Sequence, residues 1–149
     1  EHLPVFAVAP LVFLVASLVS FATGTSWGTM AIVMPLAIPL AYRVSPSITT
    51  LVVGSVLGGA IFGDHCSPIS DTTIMASMSS SCDHIAHIKT QLPYALAVQV
   101  ICLMLYVLGG FISSSWLLLL IGAVSVFAVV RYFGKPVRAS NSKPSSDRI

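Results

Sequence analysis

The apolar chain is interrupted at residues 63–73, where a polar stretch reads GDHCSPISDTT. The preceding segment, residues 48–63, is apolar and rich in small side chains, and residues 74–82 resume as a short helical pattern. Pro68 lacks a backbone N–H and breaks regular helix geometry. We therefore predict a broken helix over residues 48–82 whose first part ends just before Asp64.

The composition places this break in a membrane protein. Hydrophobic residues make up 56% of the 149 residues and charged residues only 8%, against roughly 25% charged residues in soluble domains. The mean hydropathy is +0.94. Because so few charges cannot cover the surface of a soluble domain, the composition excludes a cytosolic enzyme, a disordered chain and a nucleic-acid-binding protein. An all-helical, polytopic membrane protein remains.

A second polar break lies in the N-terminal part of the chain. Residues 3–42 contain no charged side chain, and two apolar arms, residues 3–21 and 30–42, flank a Gly- and Thr-rich tip at residues 23–29. A membrane-spanning helix needs about 20 apolar residues, which the first arm nearly reaches and the second does not. The pattern fits either two membrane spans or a re-entrant hairpin.

The remaining chain predicts two further spans and an orientation. A polar loop is expected over residues 83–91, with His84 and His87 solvated, followed by spans at residues 92–111 and 116–133. Five of the seven basic residues lie from residue 131 onward, mostly in a Ser- and Pro-rich segment, residues 134–149. We predict a membrane domain over residues 1–133 and a disordered basic tail, which the positive-inside rule puts in the cytoplasm.

Glycines in the segment before the main break form two pairs, Gly54 with Gly58 and Gly59 with Gly63. Small residues four apart allow close helix packing in lipid. The alternative is that glycine is simply frequent in membrane helices. If the pairs are a packing face, we expect that face to need a partner outside this chain.

Asp64 and Asp71 are the strongest candidates for a functional site. A charged side chain at the centre of a bilayer costs at least about 2.5–3.5 kcal/mol unless it is paired or solvated. Hydroxyls from both polar breaks and the carbonyl end of the broken helix would complete an oxygen-rich site, which suits a sodium ion. The predicted ion- and proton-binding residues are Asp64, Asp71, Ser67, Ser70, Thr72, Thr25 and Ser26.

Alternative roles remain open at two of these positions. Asp71 fits the N-cap of a helix that starts at Thr72, a role that does not prevent ion binding. Asp64 follows a helix C-terminus, where the helix dipole disfavours an anion, so it is the better candidate for alternating between a proton and a cation. His65 fits either a pH sensor or a hydrogen-bonded structural residue.

The two polar stretches, TGTSWGT at residues 23–29 and GDHCSPISDTT at residues 63–73, closely resemble the C-terminal half of the NhaC family of sodium/proton antiporters. The resemblance covers roughly residues 3–111. It implies the second of two inverted repeats in a transporter of the ion transporter superfamily, with residues 3–42 as the re-entrant hairpin. It also implies sodium/proton exchange in a bacterial inner (plasma) membrane.

Two alternatives to sodium/proton exchange stay open. The first is carboxylate exchange, because related family members exchange sodium and protons against malate or lactate. The second is a membrane remnant that does not transport. No enzyme is expected, because the chain offers neither a nucleophile with a base nor a phosphate-binding loop. We expect no cofactor beyond the transported sodium ion and proton. The expected partners are the lipid bilayer, the first repeat of the same transporter and, in a homodimer, a second copy of the chain.

Overall fold

The computed structural model describes residues 4–112 and 114–133, and every element in that part of the chain is helical. The predicted all-helical fold is confirmed. The predicted tail, residues 134–149, lies outside the described residues. The helices are α1 (Val5–Thr23), α2 (Ser26–Val44), α3 (Thr49–Cys66), α4 (Asp71–Ser79), α5 (His84–Gly109) and α6 (Ser115–Phe133), with a short 3-10 turn (Pro46–Ile48) before α3.

The break between α1 and α2 is shorter than the polar tip suggested. Gly24 ends α1 in the left-handed conformation, with φ of 68°, which glycine adopts without strain. Thr25 then caps α2, because its side-chain oxygen accepts a hydrogen bond from the backbone N–H of Gly28 at 3.4 Å. The cap draws residues 26–29 into the first helical turn, so only two residues separate the helices.

The interface between α1 and α3 forms the centre of the molecule. Phe13 and Ala16 of α1 and Val56 and Ala60 of α3 are almost completely buried. Gly59 lies so close to α1 that an added Cβ would stand 2.5 Å from the backbone oxygen of Phe13. The expectation that the glycine face needs a partner outside the chain is therefore wrong for Gly59 and Gly63, which pack on α1.

Helix α5 begins earlier than predicted, at His84. Asp83 caps it, since its carboxylate accepts a hydrogen bond from the N–H of Ala86 at 2.8 Å. The polar loop predicted over residues 83–91 is therefore wrong beyond Asp83. Helix α5 contacts α3 through Tyr106, whose hydroxyl donates to the carbonyl oxygen of Gly54 at 2.8 Å.

Length and composition make this a multi-pass membrane protein. Within the described residues, four helical segments are long and apolar enough to cross a bilayer. They are Val5–Thr23, Ser26–Val44, Pro46–Cys66 and His84–Gly109. No residue of helix α5 is fully buried in this structure, and several of its apolar side chains, among them those of Leu96, Val100 and Met104, are exposed.

Candidate ion-binding site

The main helix break is four residues long, from residue 67 to residue 70, between α3 and α4. The prediction that the first part ends just before Asp64 is wrong, because α3 continues through Cys66. Pro68 explains the true end, since the residue before a proline avoids helical geometry and Ser67 is extended, with φ of −73° and ψ of 130°. Asp64 thus projects from the last turn of α3 rather than from the break itself.

The carboxylate of Asp64 is buried and held by two hydroxyls. The residue is 3% exposed. Its Oδ1 accepts a hydrogen bond from the hydroxyl of Ser70 at 2.6 Å, and its Oδ2 accepts one from the hydroxyl of Ser26 at 3.1 Å. Each carboxylate oxygen therefore has a partner, which lowers the cost of keeping the group away from water.

Both hydroxyl partners of Asp64 lie at the N-terminal ends of helices. Ser26 is the first residue of α2, and Ser70 is the N-cap of α4. The backbone N–H groups at such ends carry partial positive charge, so they favour a nearby anion. The sequence indicated only the unfavourable C-terminal end of α3 beside Asp64. The structure adds two favourable helix ends that oppose it.

The two polar breaks touch each other through Gly24. A Cβ added at Gly24 would lie 2.9 Å from both the side chain and the carbonyl oxygen of Ile69, which sits inside the main break. Only a residue without a side chain allows this approach. The contact places the start of α2 beside the main break, which brings the hydroxyl of Ser26 to Asp64.

Asp71 lies apart from this pair of hydroxyls. It is exposed and is the first residue of α4, and its Oδ1 accepts a hydrogen bond from the N–H of Thr72 at 2.8 Å. The N-cap interpretation of Asp71 is wrong, because Ser70 holds that position and accepts from the N–H of Thr73 at 3.5 Å. Within the described residues no hydrogen bond joins Asp71 to Asp64. Sodium binding by both carboxylates stays a prediction.

The other predicted site residues take several positions around Asp64. The hydroxyl of Thr72 lies 2.8 Å from that of Ser70. Ser67 is buried in the break, and its hydroxyl accepts from the N–H of Ile69 at 3.4 Å. Thr25 serves as the cap of α2, as described above. Of the predicted hydroxyl ligands, Ser26 and Ser70 contact the Asp64 carboxylate directly and Thr72 contacts it through Ser70.

The predicted pH sensor, His65, is exposed on the last turn of α3. Its Nδ1 lies 2.9 Å from the carbonyl oxygen of Ile61, one turn earlier in the same helix. Because a carbonyl oxygen only accepts, Nδ1 carries a proton in this contact. The contact fits the structural interpretation of His65, and its role as a sensor stays a prediction.

His84 contributes to the site although it was expected to be solvated. Its Nε2 contacts the carbonyl oxygen of Pro68 at 2.9 Å, and its Nδ1 contacts the hydroxyl of Ser77 at 3.0 Å. The ring thus joins the main break, α4 and the start of α5. The expectation of a solvated His84 is wrong. The one signal in the sequence was Asp83, a good N-cap, which predicts that the next residue begins a helix.

Replacing His84 by alanine should loosen the main break. The variant loses both ring contacts, so we expect the free energy of unfolding to fall by about 1–2 kcal/mol. Thermal unfolding of the full-length protein in detergent measures this loss. His87→Ala is the matched control, because the ring of His87 makes no hydrogen bond in the described part of the chain. Equal melting temperatures for the two variants would contradict this role of His84.

Comparison with known proteins connects this site to a family. The sequence model of the Na+/H+ antiporter family matches residues 2–111, which include both breaks. The chain is 39% identical over 110 residues to the malate-2H(+)/Na(+)-lactate antiporter of Bacillus subtilis. The aligned region covers 74% of the chain and 23% of that protein. No solved structure matches the chain significantly.

Two further relatives carry other transport names. An uncharacterized Na(+)/H(+) antiporter of Haemophilus influenzae is 35% identical over 107 residues, covering 72% of the chain and 22% of that protein. The arginine/ornithine antiporter ArcD of Halobacterium salinarum is 32% identical over 118 residues, covering 77% of the chain and 24% of that protein. The chain therefore spans about a quarter of the length of these curated relatives.

Proposed function

Because the chain belongs to the Na+/H+ antiporter family, we propose that it works in a secondary antiporter that exchanges sodium ions for protons. The observation that carries the proposal is the buried Asp64 carboxylate with hydroxyl partners on both oxygens. An ionisable side chain inside a membrane protein is retained for function when burial makes it costly. Here it lies in the last turn of α3, directly before a helix break, and helix breaks are where transporters bind their coupling ions.

The hydroxyl partners suit both states that exchange requires. A serine hydroxyl donates to the ionised Asp64 carboxylate, accepts from the protonated carboxyl after rotating, and offers a lone pair to a cation. Ser26 and Ser70 can therefore stay in contact with Asp64 in the sodium-bound and the protonated form. The two forms exclude each other because both occupy the same carboxylate, and this competition couples the two ion flows.

The ligand set that we propose is centred on Asp64, Ser26 and Ser70. Oxygen atoms of Ser67 and Thr25 lie in the same two breaks, and Asp71 adds a second negative charge at the start of α4. We propose that Asp71 raises the local sodium concentration rather than exchanging a proton, because it is exposed. An exposed carboxylate attracts cations from solution through its charge.

Everted membrane vesicles containing the full-length gene product test the proposal. With a respiration-driven proton gradient established, adding sodium should dissipate the gradient, and vesicles without the protein should not respond. Adding malate with lactate, or arginine with ornithine, tests the activities that the names of two relatives suggest. If the organic pairs dissipate the gradient and sodium does not, the proposed function changes from sodium/proton exchange to organic-ion exchange. No response to any of them would favour a non-transporting remnant.

We further propose a bacterial inner membrane location with the basic C-terminal segment in the cytoplasm. Basic residues near the last helix favour that side. A cytoplasmic reporter fused after Arg138 should be active, and one inserted at residues 113–115 should be inactive. The reverse pattern would invert the orientation. We also propose two partners for the chain. One is the first repeat of the same transporter, and the other is a second copy of the chain in a homodimer, which cross-linking would test.

A further inference from the structure

A line of hydroxyls leads away from the buried carboxylate of Asp64. The hydroxyl of Ser70 donates to Asp64 at 2.6 Å, and the hydroxyl of Thr72 lies 2.8 Å from that of Ser70. A serine hydroxyl has one proton. Since Ser70 gives its proton to the carboxylate, Thr72 must be the donor in the contact with Ser70. The two hydrogen bonds therefore point in the same direction, from Thr72 to Asp64.

The outer end of this line opens into a cavity. An open cavity of about 270 Å³ is lined by His65, Thr72, Thr73, Ala76, His87 and Gln91. Its volume far exceeds the roughly 10–15 Å³ that holds one water molecule, and its walls carry several hydrogen-bonding side chains. Asp64 and Ser70 do not line it and are both buried. Thr72 is therefore the member of the line that joins the cavity to the carboxylate.

We propose that Thr72 and Ser70 form a relay that moves protons between this cavity and Asp64. The proposal rests on the proposed sodium/proton exchange and adds its proton path. One proton from the aqueous phase joins the Thr72 oxygen, the Thr72 proton passes to Ser70, and the Ser70 proton passes to Oδ1 of Asp64. Each O–H bond that breaks is replaced by one that forms, so both hydroxyls stay neutral. The reverse sequence releases the proton.

The relay gives Thr72 a role different from that of a sodium ligand. Its hydroxyl has no hydrogen bond with Asp64 and reaches the carboxylate only through Ser70. Loss of this hydroxyl should therefore impair proton movement and leave sodium binding at Asp64 intact. A ligand or a purely structural residue would affect both ions together.

Two transport modes of the reconstituted full-length protein separate these roles. Exchange of radioactive sodium against unlabelled sodium needs no proton, whereas sodium/proton exchange does. We expect Thr72→Val to slow sodium/proton exchange by about tenfold or more, as loss of a proton-transferring group does, with sodium/sodium exchange unchanged. Thr72→Ser keeps the hydroxyl and should keep both modes.

Thr90→Val is the matched control, because the hydroxyl of Thr90 bonds only to carbonyl oxygens of its own helix, α5. It should change neither mode. Thr72→Ala repeats the test if the valine variant does not fold. Equal loss of both modes in the Thr72 variants would overturn the relay and make Thr72 a ligand or structural residue. Preservation of both modes would also overturn it. Failure of the wild-type protein in both modes would instead contradict the proposed function.

Discussion

Replacing Asp64 by asparagine should abolish sodium-driven proton movement in the full-length protein. Asparagine keeps the shape and an oxygen ligand. Of the hydroxyls of Ser26 and Ser70, one can still donate to the amide oxygen and the other can rotate to accept from the NH2 group, so the local fold should survive. The amide releases no proton and carries no charge. The lost attraction for a cation 4 Å away is about 4 kcal/mol at an effective dielectric constant near 20, close to a thousandfold in affinity.

The same chemical change at Asp71 provides the control. Asp71→Asn removes one carboxylate from an exposed position at the start of α4, so it should weaken apparent sodium affinity modestly and keep exchange. Cys66→Ala, at a buried neighbour of Asp64 whose soft sulfur does not suit sodium, should leave exchange nearly unchanged. Proton-gradient dissipation in everted vesicles measures all three variants. Normal exchange by Asp64→Asn would mean that the shared carboxylate lies elsewhere, and loss of exchange only in Asp71→Asn would reverse the two assignments.

The sequence was sufficient to predict the helical membrane fold and the existence of both breaks. Apolar runs without charge leave few alternatives to helices in lipid, because only a helix satisfies every backbone hydrogen bond within one segment. At the two breaks Gly24 and Pro68 mark where a helix stops, whereas Pro10, Pro35, Pro39 and Pro93 lie inside helices. Residues 23–29 and 63–73 combine glycine or proline with polar side chains, and the structure places real breaks within both stretches.

The exact boundaries depended on caps that the hydrophobic pattern does not contain. Thr25 and Asp83 each start a helix with a side-chain hydrogen bond, so polar residues that follow them are helical rather than looped. At the end of α3 the restriction that Pro68 places on Ser67 decides the boundary. The difference of one turn decides whether Asp64 projects from a helix or from a loop.

The partners of Asp64 could not be predicted from spacing. Ser26 lies 38 positions away in the chain, and its contact depends on how α1 and α2 pack against α3. The sequence also offered Asp64 and Asp71 as near equals, separated only by the helix-end argument. Burial separates them in the structure, since Asp64 is 3% exposed and Asp71 lies at the surface. The role of His84 depends likewise on a contact with Pro68 across two helices.

The glycines of α3 also show that packing cannot be predicted from spacing, because the sequence pattern does not distinguish glycines that pack differently. Gly54 and Gly63 both belong to small-residue pairs on α3. A Cβ added at Gly54 would meet nothing within 4 Å. At Gly63 it would meet the backbone oxygen of Ser17, and it would lie 2.5 Å from the backbone nitrogen of Phe21 and 2.6 Å from the Cβ of Ser20. Close packing therefore uses only part of the pattern.

Gly63→Ala should consequently separate α1 from α3 and destabilise the protein strongly. The clashing atoms belong to the α1 backbone or to the Cβ next to it, so no side-chain rotation relieves them. Adding even one methyl group to a tightly packed core costs about 1–3 kcal/mol. Helix association in lipid relies on such close contact, because lipid tails are as apolar as the side chains and the hydrophobic effect does not drive helices together there. Thermal unfolding of the full-length protein in detergent should show a clear loss of stability.

Gly54→Ala is the matched control on the same helix, and its melting temperature should stay near that of the wild type. Equal melting temperatures for the two variants would contradict the close approach of α1 and α3 at Gly63.

The Gly63 variant should also lose exchange. Moving α1 displaces Gly24 from Ile69, and the start of α2 moves with it. Ser26 would then no longer reach Asp64. A methyl group outside the ion site would thus open the site, because the packing of α1 on α3 brings its two halves together.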